Sequence, residues 1–317
     1  MDRMLKKRIV AALGGNAILR SNERGTIEEQ LANVKETCTR LASMITQWYQ
    51  VVITHGNGPQ VGNILIQNEA AKDTVPAMPL DVCGAESQGL IGYMIQRSLR
   101  GELLRLGKSR TVTSLVTQVV VDENDRAFQH PTKPVGPFYG RDHAERQMKT
   151  KKEQWIEQKG KGWRRVVPSP EPREIVEKEA IRILIDSGTV VIACGGGWIP
   201  VVKAAEGYLK GVEAVIDKDL AAQCLARDIE ADILLILTDV QSVMLRFGQP
   251  DQFTLREVSV RELRQSQEEG HFPDGSMGPK VEAALRFVEG GGESAIITSL
   301  SRAHEALKGK VGTRVVP

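Results

Sequence analysis

Short apolar runs alternate with longer amphipathic segments along this chain. Arg8 to Leu13, Val51 to Thr54 and Ile233 to Leu237 are apolar runs of strand length, and each ends at a glycine or polar turn. Between the first two runs, apolar residues recur at alternating spacings of four and three from Ile27 to Trp48. This spacing predicts one long helix with a single buried face. The order strand, turn, helix, strand is typical of a parallel α/β sheet.

The same alternation continues through the second half of the chain. Further strands are predicted at Thr111 to Val121, Thr189 to Cys194, Ala295 to Thr298 and Thr313 to Val316. Further helices are predicted near Ser87 to Leu106, Glu171 to Ser187 and Arg261 to Glu268, and from Lys280 onward. The pattern therefore predicts an α/β protein.

One segment interrupts this pattern. From Asp122 to about Arg165 apolar residues become sparse, prolines cluster, and the second half is dense in lysine, arginine and glutamate. Such a segment cannot belong to the central core, so we predict an inserted subdomain or lid. A disordered charged insertion is the alternative. Four aromatic residues supply apolar material for a small fold: Phe138, Tyr139, Trp155 and Trp163.

Size and composition narrow the class of protein. A chain of 317 residues suits one large α/β domain or two lobes. The net charge of +2 and the aromatic content of 4% predict neither a nucleic acid partner nor an anionic membrane surface. The longest apolar runs fall far short of the roughly 20 residues that cross a bilayer, so we expect a cytoplasmic protein without a membrane segment. Four scattered cysteines, expected to be reduced core residues, are Cys38, Cys83, Cys194 and Cys224.

Glycine-rich and polar turns follow four of the predicted strands. They are Gly14-Gly15-Asn16, Gly56-Asn57-Gly58, Gly195-Gly196-Gly197 and Thr238-Asp239. Ligands of open parallel sheets bind at the carboxyl ends of the strands, so the topology gathers these turns on one edge. Because glycine lets backbone N–H groups approach an anion closely, the turns predict an extended anion such as a polyphosphate with a second acidic group. The P-loop and dinucleotide signatures are absent.

Three lysines lie in constrained turns and not on a solvated face. Lys218 stands between Asp217 and Asp219, Lys133 lies between two prolines of the insertion, and Lys280 follows a Gly-Pro pair. Phosphoryl transfer requires cations that neutralise the equatorial phosphate oxygens, which is a role suited to these lysines. The two aspartates would hold the lysines or bind Mg²⁺ through water. Since an ionised acceptor needs no deprotonation, no residue is assigned as a general base, including His55 beside the second glycine turn.

Six blocks of sequence carry a family resemblance. They are Ala12 to Ala17, His55 to Gly62, Pro131 to Gly136, Val166 to Pro170, Gly211 to Asp219 and Gly275 to Lys280. In this order, and over essentially the whole chain, the blocks closely resemble those of carbamate kinases in the amino acid kinase superfamily. The resemblance implies an open αβα sandwich around a mainly parallel sheet, assembled as a homodimer, with a small protruding lid subdomain.

The resemblance also implies an activity. ATP and carbamate would exchange a phosphoryl group reversibly, with Mg²⁺, to give ADP and carbamoyl phosphate, often in the direction of ATP synthesis in arginine or carbamoyl phosphate catabolism. Residues 1–210, including a lid of about residues 122–166, would form the lobe that binds carbamate or carbamoyl phosphate. Residues 211–317 would form the nucleotide-binding lobe. Mg²⁺ would be held by ATP phosphates and water, with no direct protein ligand assigned.

Roles follow for individual residues by motif. Those implied to hold carbamate and the transferring phosphoryl group are Gly14, Gly15, Asn16, Gly56, Asn57 and Gly58. The implied catalytic residues are Lys133 from the lid, Lys218, Asp219 and Lys280. Those implied to lie on the nucleotide side are Gly196, Asp217, Lys218, Thr238, Asp239, Met277 and Lys280.

Two residues depart from the family pattern. Trp198 stands where a fourth glycine is expected, and Glu86 stands where methionine is expected. A bulky ring could narrow the phosphate crevice, and a carboxylate pointing at the site would repel carbamate. These departures motivate one alternative, a non-catalytic nucleotide-binding homologue. A second alternative is a kinase for another small carboxylate, such as an N-acylated amino acid, although such relatives carry a lysine in the first glycine turn and Ala12 to Gly15 contains none.

Overall fold

The computed structural model describes residues 7–20, 22–45, 49–193, 195–197, 199–272 and 277–317. Predictions that concern Trp48, Cys194 and Trp198, and the beginning of the Gly275 to Lys280 turn, fall outside these ranges. Cys38, Cys83 and Cys224 are buried free thiols, as expected. No helix of the described ranges is long and apolar enough to cross a membrane.

The strands of the described residues are, in chain order, β1 (Arg8–Leu13), β2 (Gln50–His55), β3 (Val112–Leu115), β4 (Gln118–Val120), β5 (Lys133–Tyr139), β6 (Gln154–Gln158), β7 (Gly162–Val167), β8 (Glu174–Ile175), β9 (Val190–Ala193), β10 (Ile199–Lys203), β11 (Leu209–Gly211), β12 (Ile233–Thr238), β13 (Met244–Leu245), β14 (Phe253–Thr254), β15 (Glu257–Ser259), β16 (Ser294–Ser299) and β17 (Thr313–Val316). The α-helices are α1 (Ile27–Ile45), α2 (Gly58–Ala71), α3 (Leu80–Arg105), α4 (Arg141–Lys151), α5 (Lys178–Asp186), α6 (Lys218–Asp228), α7 (Val260–Glu268), α8 (Gly278–Glu289) and α9 (Ala303–Leu307).

Eight strands form the central sheet, in the order β15-β17-β16-β12-β1-β2-β9-β3. Neighbouring strands run parallel except for β16 and β17, which are antiparallel. The centre of the sheet is β1, whose Ile9 lies opposite Ile233 of β12 on one side and Val51 of β2 on the other. The predicted α/β class with a mainly parallel sheet is therefore confirmed.

Helices cover both faces of this sheet. Val10 and Ala12 of β1 point towards a core built with α5, α6, α7 and α8, whereas Ile9, Ala11 and Leu13 point towards α1, α3 and α9. All five of these residues are at most 2% exposed. Full burial of an Ile, Leu or Val side chain contributes about 1.5–3 kcal/mol, so a strand buried on both faces stabilises the centre of the molecule strongly. This layering confirms the αβα sandwich.

The predicted strand from Thr111 to Val121 is split between two sheets. β3 lies at the edge of the central sheet, whereas β4 belongs to a second sheet of order β11-β10-β4-β8, which the sequence did not indicate. The break lies at Thr117, whose backbone N–H donates to Gln88 Oε1 at 2.9 Å. A β-branched run signals strand propensity but not the sheet that receives each part of it.

The predicted insertion is a folded unit. β5, β7 and β6 form a three-stranded antiparallel sheet with α4 beside it, so the alternative of a disordered insertion is wrong. At its base, Val135 and Val167 pack against Val61, Leu80 and Cys83 of α2 and α3. Towards its outer part, three aromatic rings contact one another: Tyr139, His143 and Trp155. We call residues 133–167 the lid; the division of the chain into lobes at residue 210 stays a prediction.

Several predicted boundaries were wrong. α3 begins at Leu80 and not near Ser87, because Pro79 stands at its N-cap and tertiary burial of Leu80 outweighs the low helix propensity of Gly84. α2 was missed altogether, although Pro59 in its first turn is a recognised start signal. The apolar stretch from Val212 to Ile216 forms no strand and leads, through Asp217, into α6.

Candidate active site

The predicted anion-binding turns meet at one edge of the central sheet. They follow β12, β1, β2 and β9, which are consecutive neighbours in the sheet and parallel to one another. Parallel strands bring their carboxyl ends to the same edge, so the four turns lie side by side. The topology therefore builds a crevice there, as expected from the sequence.

A cavity of about 310 Å³ opens at this edge. Predicted site residues that line it are Gly15, Gly56, Asn57, Gly58, Lys133, Gly196, Asp217, Lys218, Asp219 and Lys280. Pro59, Val215, Ile216 and Pro279 complete the lining. The three lysines, which come from positions 133, 218 and 280 of the chain, thus face one common space.

Asp219 holds two of these lysines. Its Oδ1 lies 2.7 Å from Lys218 Nζ and its Oδ2 lies 3.4 Å from Lys280 Nζ. Asp219 is 2% exposed, whereas the side chains of Lys218 and Lys280 are 25% and 15% exposed. The carboxylate therefore lies behind the two ammonium groups, which reach towards the cavity. Two cations sharing one anion leave a local excess of positive charge that suits a phosphate.

Asp217 holds the third lysine. As the N-cap of α6, its Oδ1 accepts hydrogen bonds from the backbone N–H groups of Asp219 and Leu220, at 2.9 and 3.4 Å. Its Oδ2 lies 3.1 Å from Lys133 Nζ, which links the lid to the base of the cavity. Burial opposes ionisation of Asp217, but the charge and hydrogen bond of Lys133 and the Asp219 N–H together lower its pKa below the usual range.

Three residues that line the cavity have backbone N–H groups without a protein acceptor in the described part of the chain. They are Gly15, Asn57 and Gly58. Asn57 and Gly58 begin α2, a helix of 14 residues whose N-terminus adds a partial positive charge. Unpaired donors at a helix N-terminus, beside three ammonium groups, form a site for an extended anion.

Gly196 allows the turn after β9 to close over this site. Its φ is +80°, and an added Cβ would lie 2.0 Å from Asn57 Cγ. Any side chain would therefore overlap with the Asn57 amide, while the positive φ itself disfavours other residues. The glycine turn brings its backbone against Asn57 and so restricts the movement of that side chain.

Four predicted site residues lie elsewhere. Gly14, Asn16, Thr238 and Asp239 line a separate cavity of about 110 Å³ beside the main one. Asn16 Nδ2 donates to Asp239 Oδ2 at 2.6 Å, so a residue predicted on the carbamate side pairs with one predicted on the nucleotide side. Their individual roles stay predictions.

The remaining residues of interest lie at the margins. Met277 is half-buried at the N-cap of α8 and packs against the core of the α6 and α8 side. Glu86 is exposed on α3 and is not among the described residues that line the site cavity. The carboxylate repulsion considered for Glu86 is therefore not supported by its position.

His55 is buried beside the site without facing it. Burial lowers its pKa to about 4, against an ordinary value of 6.5, so the ring is neutral at pH 7. Its Nδ1 lies 3.0 Å from the Gly56 carbonyl oxygen, which can only accept, and so Nδ1 carries the proton. A neutral donor locked to the backbone is consistent with a structural role.

Sequence reasoning missed the ion pair that joins the lid to the loop before α6. Arg165 Nη2 of β7 lies 2.9 Å from Glu213 Oε2, and Glu213 Oε1 accepts a hydrogen bond from Leu80 N–H at 3.3 Å. Arg165 also lies 3.6 Å from Glu153. Nothing in the sequence distinguishes these residues from ordinary surface charges, because the lid and the loop are far apart in the chain.

Known proteins resemble this chain over nearly its full length. Residues 7–299 match the model of the amino acid kinase family. Carbamate kinase of Pyrococcus furiosus is 54% identical over 315 residues, covering 98% of this chain and 99% of that protein. Carbamate kinase of Thermococcus kodakarensis is 54% identical over 313 residues, with 98% and 99% covered.

A solved structure shows the same agreement in three dimensions. Carbamate kinase from Giardia lamblia bound to AMP-PNP superposes with a TM-score of 0.94 at 45% identity, covering 98% of this chain and 99% of that chain. Sequence, fold and site geometry thus agree. This chain belongs to the carbamate kinases of the amino acid kinase family.

Proposed function

We propose that this protein transfers a phosphoryl group reversibly between ATP and carbamate, giving ADP and carbamoyl phosphate. The observation that carries the proposal is the convergence of Lys133, Lys218 and Lys280 on one cavity that the glycine turns at Gly15, Gly58 and Gly196 also line. The described residues that line the cavity offer cations and donors for phosphate oxygens, and no hydroxyl or thiol nucleophile is among them. Direct transfer between two bound substrates requires no more than this.

The residues act by holding charge in place. A carbamate oxygen attacks the γ-phosphorus, a new P–O bond forms, and the bond to the β,γ-bridging oxygen breaks as ADP leaves. Lys218 and Lys280, aligned by Asp219, neutralise the phosphate oxygens on the nucleotide side, and Lys133 approaches from the lid. The turns at Gly15 and Gly58 hold the acceptor and the moving group. Because Lys218, Lys280 and the two turns are fixed before substrates bind, they stabilise the transition state without reorganisation.

Lys133 must change partner during this cycle. In the structure it pairs with Asp217, and its side chain is 36% exposed. Binding of a phosphate offers it a stronger anion in the same cavity. We propose that this exchange takes Lys133 from Asp217 to the transferring phosphoryl group.

Mg²⁺ fits this site as a companion of the nucleotide. Asp219 is engaged by two lysines and is 2% exposed, so it is a poor metal partner. Asp217 lines the cavity with a side chain that is 17% exposed, and it becomes available when Lys133 leaves. We therefore propose that Asp217 contacts the ion through water. When bound, Mg²⁺ neutralises phosphate charge and orients the phosphates.

The direct test is synthesis of ATP by the purified protein from carbamoyl phosphate, ADP and Mg²⁺, followed with a luciferase assay. Lys218→Ala is the matched control, because it removes one cavity cation. ATP formation that the control lacks supports the proposal. Nucleotide binding without turnover would instead favour the non-catalytic alternative. Turnover of an N-acylated amino acid, but not of carbamate, would favour the second alternative.

We further propose that the protein acts as a cytoplasmic homodimer. α3 leaves four apolar side chains on one exposed stripe, within about 80° of the helix circumference at 100° per residue. They are Val82, Leu90, Tyr93 and Leu104, exposed by 37%, 38%, 58% and 57%. Exposed apolar side chains on one face of a helix favour association with a second copy. Analytical ultracentrifugation that shows a monomer at micromolar concentration would contradict it.

A further inference from the structure

A chain of buried hydrogen bonds supports one side of the cavity. Asn57 Nδ2 donates to Ser87 Oγ at 2.7 Å, and Ser87 Oγ donates to the carbonyl oxygen of Gly84 at 2.7 Å. Ser87 is 0% exposed and Asn57 is 6% exposed. The chain therefore links a residue that lines the cavity to the interior of α3.

The direction of this chain is set by chemistry. A carbonyl oxygen can only accept, so the single hydroxyl proton of Ser87 is committed to Gly84. Ser87 Oγ can then only accept from Asn57, and a carboxamide offers a donor only through its nitrogen. The NH₂ group of Asn57 must therefore face Ser87. Its oxygen, Oδ1, must face the opposite way.

Asn57 Oδ1 is a free acceptor. Asn57 is the N-cap of α2, a position where asparagine usually accepts a hydrogen bond from the first helical turn, yet its side chain makes no such bond. No described residue donates a hydrogen bond to Oδ1, and this atom is not fully buried. Asn57 lines the cavity, and Gly196 packs against its amide from one side.

An available acceptor stands out at this site. The two carboxylates of the lining, Asp217 and Asp219, are already paired with lysines. The lysine ammonium groups and the N–H groups of Gly15 and Gly58 donate. Those donors suit carboxylate and phosphate oxygens. Carbamate and carbamoyl phosphate carry in addition an NH₂ group, which can only donate and so requires an acceptor.

We propose that Ser87 is a positioning residue that holds Asn57 Oδ1 towards the amino group of the substrate, so that the site selects a carbamoyl group over an acetyl group. This inference rests on the proposed function. With acetyl phosphate a methyl group would lie against Oδ1, leaving a desolvated acceptor without a partner. Such a loss lowers the specificity constant by roughly 10- to 100-fold.

Ser87→Ala tests the proposal. The substitution removes the acceptor that orients the Asn57 amide, so either amide orientation becomes available. We measure kcat/KM for carbamoyl phosphate and for acetyl phosphate, with ADP as the common acceptor. The ratio of kcat/KM for carbamoyl phosphate to kcat/KM for acetyl phosphate should fall by roughly 10-fold or more, while the KM for ADP stays unchanged. Ser87→Thr keeps the hydroxyl and should retain the ratio.

Ser294→Ala is a matched control. Ser294 is also a buried serine, 1% exposed, and it accepts a hydrogen bond from Arg314 at 2.8 Å at the amino end of β16, the edge of the sheet opposite the cavity. The Ser294→Ala variant should keep the wild-type ratio of the two kcat/KM values even if its melting temperature is lower. An equal loss of kcat/KM for both phosphates in Ser87→Ala would overturn the proposal, because a purely structural role lowers both alike.

A second measurement needs no variant. Phosphonoacetamide and phosphonoacetone are stable analogues of carbamoyl and acetyl phosphate that differ only in NH₂ against CH₃. The amide should inhibit the wild-type protein at least about 10-fold more strongly, on the same hydrogen-bond argument, and equal inhibition constants would overturn the proposal. Absence of ATP synthesis by the wild-type protein is a different result, since it contradicts the proposed function itself.

Discussion

Replacement of Asp219 by asparagine removes the carboxylate that joins two lysines of the site. The change conserves shape, so its effect is one of charge. At an effective dielectric constant of about 20, the attractions across 2.7 and 3.4 Å are about 6 and about 5 kcal/mol before the opposing cost of desolvation. Because breaking a buried pair typically costs about 3–5 kcal/mol net, we expect a loss of that size in the free energy of unfolding.

Thermal unfolding measures this loss. At roughly 2 °C per kcal/mol for a chain of this length, the melting temperature of Asp219→Asn should fall by about 6–10 °C. The two uncompensated ammonium groups should also attract anions more strongly than before. Tripolyphosphate should therefore raise the melting temperature of the variant by more than that of the wild type, whereas turnover should fall at least about 100-fold because the lysines are no longer aligned.

Asp228→Asn is the control for these measurements. Asp228 lies on the same helix, α6, its side chain is 7% exposed, and it pairs with Arg227 at 2.7 Å away from the cavity. Its loss should lower stability without changing turnover or the effect of tripolyphosphate. The reasoning would be refuted if Asp219→Asn kept turnover within about threefold of wild type, or if tripolyphosphate stabilised it no more than the wild type.

Three further outcomes follow from the structure. Lys133→Ala should lower kcat by roughly 30- to 1000-fold, which corresponds to a charge interaction of about 2–4 kcal/mol in the transition state. Calorimetry should show that its affinity for ADP changes less than about threefold. The control Lys149→Ala, on the same lid, should leave kcat unchanged. Arg165→Glu should lower kcat/KM about 3- to 10-fold through repulsion of Glu213, and adding Glu213→Arg should restore it; failure of this rescue would argue against the pair as a lid contact. His55 has a pKa lowered to about 4 in the folded protein, so below pH 6.5 it takes up a proton in the unfolded chain but not in the folded one. The free energy of unfolding therefore decreases as the pH is lowered. Between pH 7 and pH 5 chemical unfolding should show the wild type losing about 2 kcal/mol more than His55→Gln, and parallel pH curves would exclude this origin.

Local signals were enough wherever a segment buries its residues in a regular way. The apolar run of β1 was predicted with both ends correct, because a strand buried on both faces reads as a continuous apolar run. The ends of β17, whose residues alternate between buried and half-buried, were also correct. The three lysines were also found from sequence, since prolines, glycines and aspartates around them mark constrained turns and not a solvated helix face.

The sequence by itself thus determined the class of fold, the order of the turns that follow the strands and the cations of the site. Only the tertiary structure decided which groups meet: Asn16 with Asp239, Arg165 with Glu213, and Asn57 with Ser87. The physical reason is that periodicity and turn chemistry act over a few residues. The direction of a buried hydrogen bond, by contrast, depends on partners that folding brings together from distant parts of the chain.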